Sequence, residues 1–179
     1  MSRWNIQSTD KTMIIEVDAN LLEHPLDGFA HQCNCFHTMG GGIAARIKAK
    51  YPEAYKADQQ HGHRGDISRL GKFSVVKARD DKYIYNVYGQ FNFGGWKRNT
   101  DYEALHNGLT GVRNHAIEVN VLRLGLPKNM GCVLGGGSWL VVRAIIEDIF
   151  ADCSVELNIC NYEPTPQTKV PRTTPDEPV

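Results

Sequence analysis

Two glycine clusters, Gly40-Gly41-Gly42 and Gly135-Gly136-Gly137, each fall between an apolar strand-like run and an amphipathic helix-like run. A strand handed to a helix through glycines lets a ligand approach the backbone closely, and it leaves the first-turn N–H groups unpaired at the positive end of the helix dipole. Each junction is therefore an anion socket. A pair of sockets in one small domain predicts a diphosphate gripped from two sides, with the groups at its ends lying along the strand ends. The feature restricts the chain to an α/β architecture whose ligand is nucleotide-like.

The surrounding periodicity agrees. Met13 to Val17 and Phe29 to Asn34 read as strands, the second running up to the first glycine cluster. Ile43 to Lys50 carries apolar residues at helical spacing, and Pro52 restarts a second helix over Glu53 to Gln60. Lys72 to Ala78 and Tyr83 to Tyr88 predict a hairpin around the turn-like Arg79-Asp80-Asp81. Thr100-Asp101-Tyr102-Glu103 matches a capping box that opens a long helix toward Asn120. Val121 to Leu126 is a further strand. After the second cluster, Trp139, Leu140, Val142, Ile145, Ile146, Ile149 and Phe150 form one helical stripe, and Val155 to Cys160 is the last strand. The sum is a mixed sheet covered by helices on both faces.

With 179 residues, 41% of them hydrophobic, the chain supports one domain, expected over residues 1–162. Residues 163–179 are rich in Pro and Thr with little to bury, and are expected to be a disordered tail. Twenty basic residues balance twenty acidic ones, which argues against a broad electrostatic grip on nucleic acid or a membrane. The expected partner is a small molecule and the expected state a monomer. No apolar run reaches membrane-spanning length, the first residues lack an apolar signal core, and five cysteines form an odd set that suits a reducing compartment. A cytoplasmic location follows.

Five motifs occur in order: His31-Gln32-Cys33-Asn34-Cys35, Met39 to Ala44, Tyr88-Gly89-Gln90, Asp101 to Leu105, and Gly131-Cys132-Val133-Leu134-Gly135-Gly136-Gly137-Ser138-Trp139. This ordered set resembles the macro domain family, closest to its subgroup associated with ADP-ribose 1''-phosphate processing. The resemblance implies a three-layer α/β/α fold with a central mixed sheet. It also implies an ADP-ribose site that includes Gly40, Gly41, Gly42, Ile43, Gln90, Phe91, Gly131, Val133, Leu134, Gly135, Gly136, Gly137 and Ser138. Where the family commonly has Gly-Asp at the adenine end, this chain has Ala19-Asn20; the Asn20 amide can both donate to and accept from the adenine edge, and Asp18 lies two residues away. Tyr162, after the last strand, corresponds to an aromatic that stacks on adenine, with plain exposure as the alternative. In the second loop Val133 stands where glycine is commoner and Ser138 where Asp is frequent. Another branch of the family removes ADP-ribose from glutamate with a lysine and an Asp; Gly89 and Gly135 hold those positions here, so an amine nucleophile is missing.

For chemistry at the distal ribose, Asn34 is expected to position the hydroxyls, and His37 and His31 are the candidate general acids or bases. His37 is preferred because it belongs to a loop; His31, within a strand, is as readily a packed core histidine. Glycine N–H groups would stabilise charge on the transferring phosphoryl oxygens. His31, Cys33, Cys35 and His37 also alternate as metal-capable residues, yet i, i+2 positions on a strand splay apart, so two packed thiols are expected rather than zinc. The loop from Gln90 to Trp96 either closes over the ligand or caps the core. Trp139 is expected to pack, and Lys48, Lys50 and Lys56 to face solvent. The reading is a hydrolase that removes phosphate from ADP-ribose 1''-phosphate, with no metal or organic cofactor. The alternatives are a hydrolase of another ADP-ribosyl linkage and a non-catalytic ADP-ribose-binding module.

Overall fold

The computed structural model describes residues 13–162, so the expected tail at 163–179 lies outside the described residues. Six strands form one sheet in the order β1-β6-β5-β2-β4-β3: β1 (Ile14–Val17), β2 (Gly28–Gln32), β3 (Phe73–Lys77), β4 (Tyr83–Val87), β5 (Arg123–Pro127) and β6 (Glu156–Cys160). All neighbours are parallel except the β3–β4 hairpin, so the sheet is mixed. The inner strands β2, β5 and β6 are almost wholly buried, whereas the edge strands β1 and β3 are only partly covered. That difference is why the inner strands read as continuous apolar runs.

Four helices complete the layers: α1 (Gly42–Lys50), α2 (Pro52–Gln60), α3 (Tyr102–Glu118) and α4 (Trp139–Phe150). On one face Leu105, Leu109 and Val112 of α3 and Val142, Ile146 and Phe150 of α4 pack on Ala30, Leu124 and Leu157. On the other, Ile47 of α1 and Ala54 of α2 pack with Phe29, Ile84 and Tyr88. The expected three-layer α/β/α sandwich is the observed one.

Several boundaries differ from expectation, each for a local reason. β2 stops at Gln32, because the Asn34 side chain accepts from Phe36 N (2.8 Å) and turns the chain out of the sheet. The strand expected at Val121–Leu126 starts at Arg123; Val121 N instead donates to Ala116 O to close α3, and Leu122 is exposed. The N-cap of α3 is Asp101, which accepts from Ala104 N (2.9 Å), and not Thr100, whose hydroxyl is engaged elsewhere. Leu140, assigned to the buried stripe of α4, is 84% exposed.

Candidate functional site

The two glycine junctions meet. A cavity of about 490 Å³ opens at the carboxyl ends of β2, β5 and β6, and it is walled on one side by Gly41, Gly42, Ile43 and Ala44 and on the other by Gly131, Val133, Leu134 and Gly135. The walls touch through Leu134: a β-carbon on Gly41 would lie 2.9 Å from Leu134 Cδ1. The N–H groups of Gly42, Ile43 and Ala44, the opening turn of α1, have no hydrogen-bond partner among the described residues; those of Leu134 and Gly135 have none either. These are the free donors that an anion socket needs. Elsewhere in the second cluster donors are already spent, with Gly137 N bonded to Gly131 O (2.9 Å) and Ser138 N to Tyr102 Oη (2.8 Å). Gly40, Gly136, Gly137 and Ser138 accordingly stand behind the cavity wall, not on it. Ser138 occupies the N-cap position of α4 without a capping side-chain bond.

The strand order fixes the direction of the cleft. At its β1–β6 end lie Asn20, Arg46, Cys160, Asn161 and Tyr162; at its β2–β4 end lie Gln32 and Gln90. Arg46 joins the first group by donating to Asn20 Oδ1 (3.1 Å) while its guanidinium sits 5.0 Å from the centre of the Tyr162 ring. Asp18 is drawn away from the cavity and accepts from Asn161 Nδ2 (3.1 Å). Arg46 and Lys128, the latter paired with Glu16 at 3.4 Å, are cationic side chains on the wall, and among the described residues no Asp or Glu lines it, a polarity suited to an anion. Cys160 lines the cavity, but burial pushes its thiol up to about 11, which keeps it protonated near neutrality.

The residues expected to act at the distal ribose are placed less directly. His31 is fully buried, with Nε2 2.7 Å from Asn86 Oδ1, and burial drives its pKa down to about 4. It is a packed core histidine, the alternative that the sequence left open beside an acid–base role. Asn34 lies in the loop after β2, spending its amide on Thr38 Oγ1 (2.5 Å) and Phe36 N, outside the cavity lining. His37 follows in a left-handed backbone conformation (φ 57°); it is half-buried, its Nε2 is enclosed without a partner, and it too does not line the cavity. Burial, then Arg69 and Arg64, lower its pKa, so the ring is neutral near pH 7. Phe91 also stands off the lining, its ring packed edge-on against Phe36 at 5.2 Å. The alternating His and Cys residues do not converge: Cys33 Sγ is near His31, Cys35 Sγ faces Gln90 O, and among the described residues no three His, Cys, Asp or Glu side chains could share a metal ion.

Beneath the loop, Arg69 forms a buried ion pair with Asp58 (2.6 Å) and donates to Cys35 O (2.7 Å), pinning the chain between β2 and α1. Sequence reasoning missed Arg69, because a lone Arg in a polar stretch carries no pattern. It also missed Gln32, Arg46 and Lys128 on the cavity wall. For Gln32 and Lys128 a signal existed, since each stands at the carboxyl end of an inner strand, where α/β ligands collect.

An open, largely parallel sheet with a cleft on its carboxyl edge, bounded by two glycine-rich strand-to-helix junctions, defines a three-layer domain of the kind that takes nucleotide-like ligands. The chain belongs to the macro domain family, whose model matches residues 30–146. It is 31% identical over 138 residues to an uncharacterised 17.5 kDa protein of Enterobacteria phage T4, covering 75% of this chain and 86% of that one. It is 26% identical to human ADP-ribose glycohydrolase OARD1, covering 74% of this chain and 80% of the relative. A shorter match, 46% identical over 50 residues, relates 27% of this chain to 24% of an ADP-ribose 1''-phosphate phosphatase of Aspergillus oryzae. Among solved structures, the macrodomain of Mycobacterium tuberculosis DarG superposes with a TM-score of 0.72 at 25% identity, covering 86% of this chain and 99% of that one.

Proposed function

We propose that the cavity binds ADP-ribose with its diphosphate between the two glycine junctions, its adenine toward Asn20, Arg46 and Tyr162, and its distal ribose toward Gln32 and Gln90, and that the protein removes the phosphate of ADP-ribose 1''-phosphate. One observation carries the binding half: residues of both junctions whose N–H groups have no partner among the described residues line the same cavity. The human relative and the partial fungal relative bear names of enzymes acting on ADP-ribose derivatives, which supports the ligand class. The phosphate linkage is favoured over a glutamate linkage because Gly89 and Gly135 offer neither amine nor carboxylate.

Between β2 and α1, burial raises the Cys33 and Cys35 thiols and keeps them protonated, whereas it lowers His37, whose neutral ring is left as the proton acceptor of this loop. We assign proton transfer to His37 and the positioning of the distal hydroxyls to Asn34, roles that require both to turn toward the cavity and Asn34 to exchange its bonds with Thr38 and Phe36 for the ligand's, with the free N–H groups stabilising charge on the phosphoryl oxygens. The protein acts in this reading as a monomer in the cytoplasm; among the described residues no helix is long and apolar enough to cross a membrane. A second reading, a non-catalytic ADP-ribose-binding module, is favoured by the uncharged distal end, where Gln32, Gln90, Gly131 and Gly135 supply no acid or base. Phosphate release from ADP-ribose 1''-phosphate decides between them. Turnover that falls in His37→Ala, with ADP-ribose affinity kept, supports the enzyme; tight binding of ADP-ribose without phosphate release supports the module.

A further inference from the structure

Gln32, the last residue of β2, floors the distal end of the cavity. Its Nε2 donates to Gln90 Oε1 (2.7 Å) and to Thr100 Oγ1 (2.8 Å), and the Thr100 hydroxyl in turn donates to Gly131 O (2.6 Å). The main-chain N–H groups of Asn99 and Thr100 hold Gly135 O at 2.9 and 3.0 Å. The Gln32 amide therefore reaches the second glycine loop through Thr100, which holds both Gly131 O and Gly135 O. The fit leaves no room for side chains around it. A β-carbon on Gly89 would stand 2.7 Å from Gln32 Oε1, one on Gly131 2.5 Å from the same atom, and one on Gly135 would overlap Thr100 Oγ1 while lying 2.6 Å from Gly131 O. Gln32 Oε1 itself is buried without a hydrogen-bond partner, an acceptor enclosed by glycine backbone.

Gly89 and Gly131 are thus the imprint of one glutamine, while Thr100 and the Gly131 carbonyl fill the space at Gly135. Gln90, held at the other side of that amide, donates to Asn92 O (2.7 Å) and completes a floor made of neutral amides alone. Such a floor is uncharged and presents amide polarity to a sugar. Resting on the ADP-ribose reading, we infer that Gln32 is the positioning and specificity-determining residue of the distal subsite: through Thr100 it sets the Gly131–Gly135 loop against the distal sugar, and it occupies the space that a side chain at position 89 or 131 would need.

The test compares ADP-ribose with ADP, which ends at the diphosphate. Gln32→Ala and the isosteric Gln32→Met, which keeps the packing and loses the amide, are expected to weaken ADP-ribose binding about tenfold, the scale of one to two lost hydrogen bonds, while ADP affinity moves by less than about threefold. Gly89→Ala is expected to weaken ADP-ribose binding in the parent protein and to cost much less in the Gln32→Ala background, where its β-carbon no longer meets Oε1. If Gln32→Ala does not fold, Gln32→Met decides. Equal losses for both nucleotides, no loss for either, or strict additivity of Gly89→Ala with Gln32→Ala would overturn the assignment. A parent protein that binds neither nucleotide refutes the ligand reading itself and removes the assignment with it.

Discussion

His31 provides a prediction whose size follows from its surroundings. Its ring is fully enclosed and holds Asn86, and burial lowers its pKa from 6.5 to about 4. The unfolded chain keeps the ordinary value, so below pH 6.5 the unfolded state binds the additional proton. Stability is complete above the unfolded pKa and is lost as the pH falls toward the folded one. A gap of about 2.5 pKa units corresponds to roughly 3 kcal/mol at its limit, of which about 2–3 kcal/mol is lost between pH 7 and pH 4.5. His37 and His61 are also lowered and titrate in the same sense, so the contribution is read by difference. His31→Gln keeps an amide donor for Asn86 and removes the titration. Urea unfolding of both proteins at pH 7 and pH 4.5 is expected to show the parent losing about 2 kcal/mol more than the variant. Identical pH dependence in the two proteins would refute the burial argument and return His31 to the list of reachable acid–base groups.

Asp58→Asn strands the Arg69 guanidinium in a site 2% exposed and should cost about 3–5 kcal/mol in urea unfolding, the scale for a broken buried pair. Because Arg69 also holds Cys35 O, the same variant is expected to increase amide exchange across residues 33–39. Arg46→Ala should weaken AMP and ADP-ribose alike by about 0.5–2 kcal/mol, through loss of the contact with Tyr162 and the bond to Asn20; an effect confined to ADP-ribose would place Arg46 at the wrong end of the cleft. Gly42, at φ 53°, should resist substitution: Gly42→Ala is expected to lose about 1 kcal/mol of stability together with affinity for the diphosphate, seen as a lower melting point that ADP no longer raises.

The layers and the cleft were legible because they rest on short-range physics. Inner strands show continuous apolar runs, α3 shows its spacing and its acidic cap, and a strand that enters a helix through glycines needs no partner to be recognised. The convergence of the two glycine clusters follows from the number of sockets, and the fold brings them together at Gly41 and Leu134. What stayed hidden depends on contacts distant in sequence. Whether His31 faces solvent or core is decided by Asn86, and whether Asn34 is available is decided by its turn with Phe36 and Thr38. The capping box misled by one residue because Thr100 serves Gln32 and Gly131, thirty and more positions away in each direction. Gly89 and Gly131 look like flexible loop residues until the amide that fills their missing side chains is seen.

Calorimetric titration of the full chain with ADP-ribose, repeated for Gly41→Val and Gly135→Ala, tests the shared cradle most directly. Saturable binding at a single site is expected, weakened tenfold or more, about 1.4 kcal/mol, by a substitution in either loop. Affinity that survives a folded variant of one loop unchanged would show that the two junctions do not hold the same diphosphate.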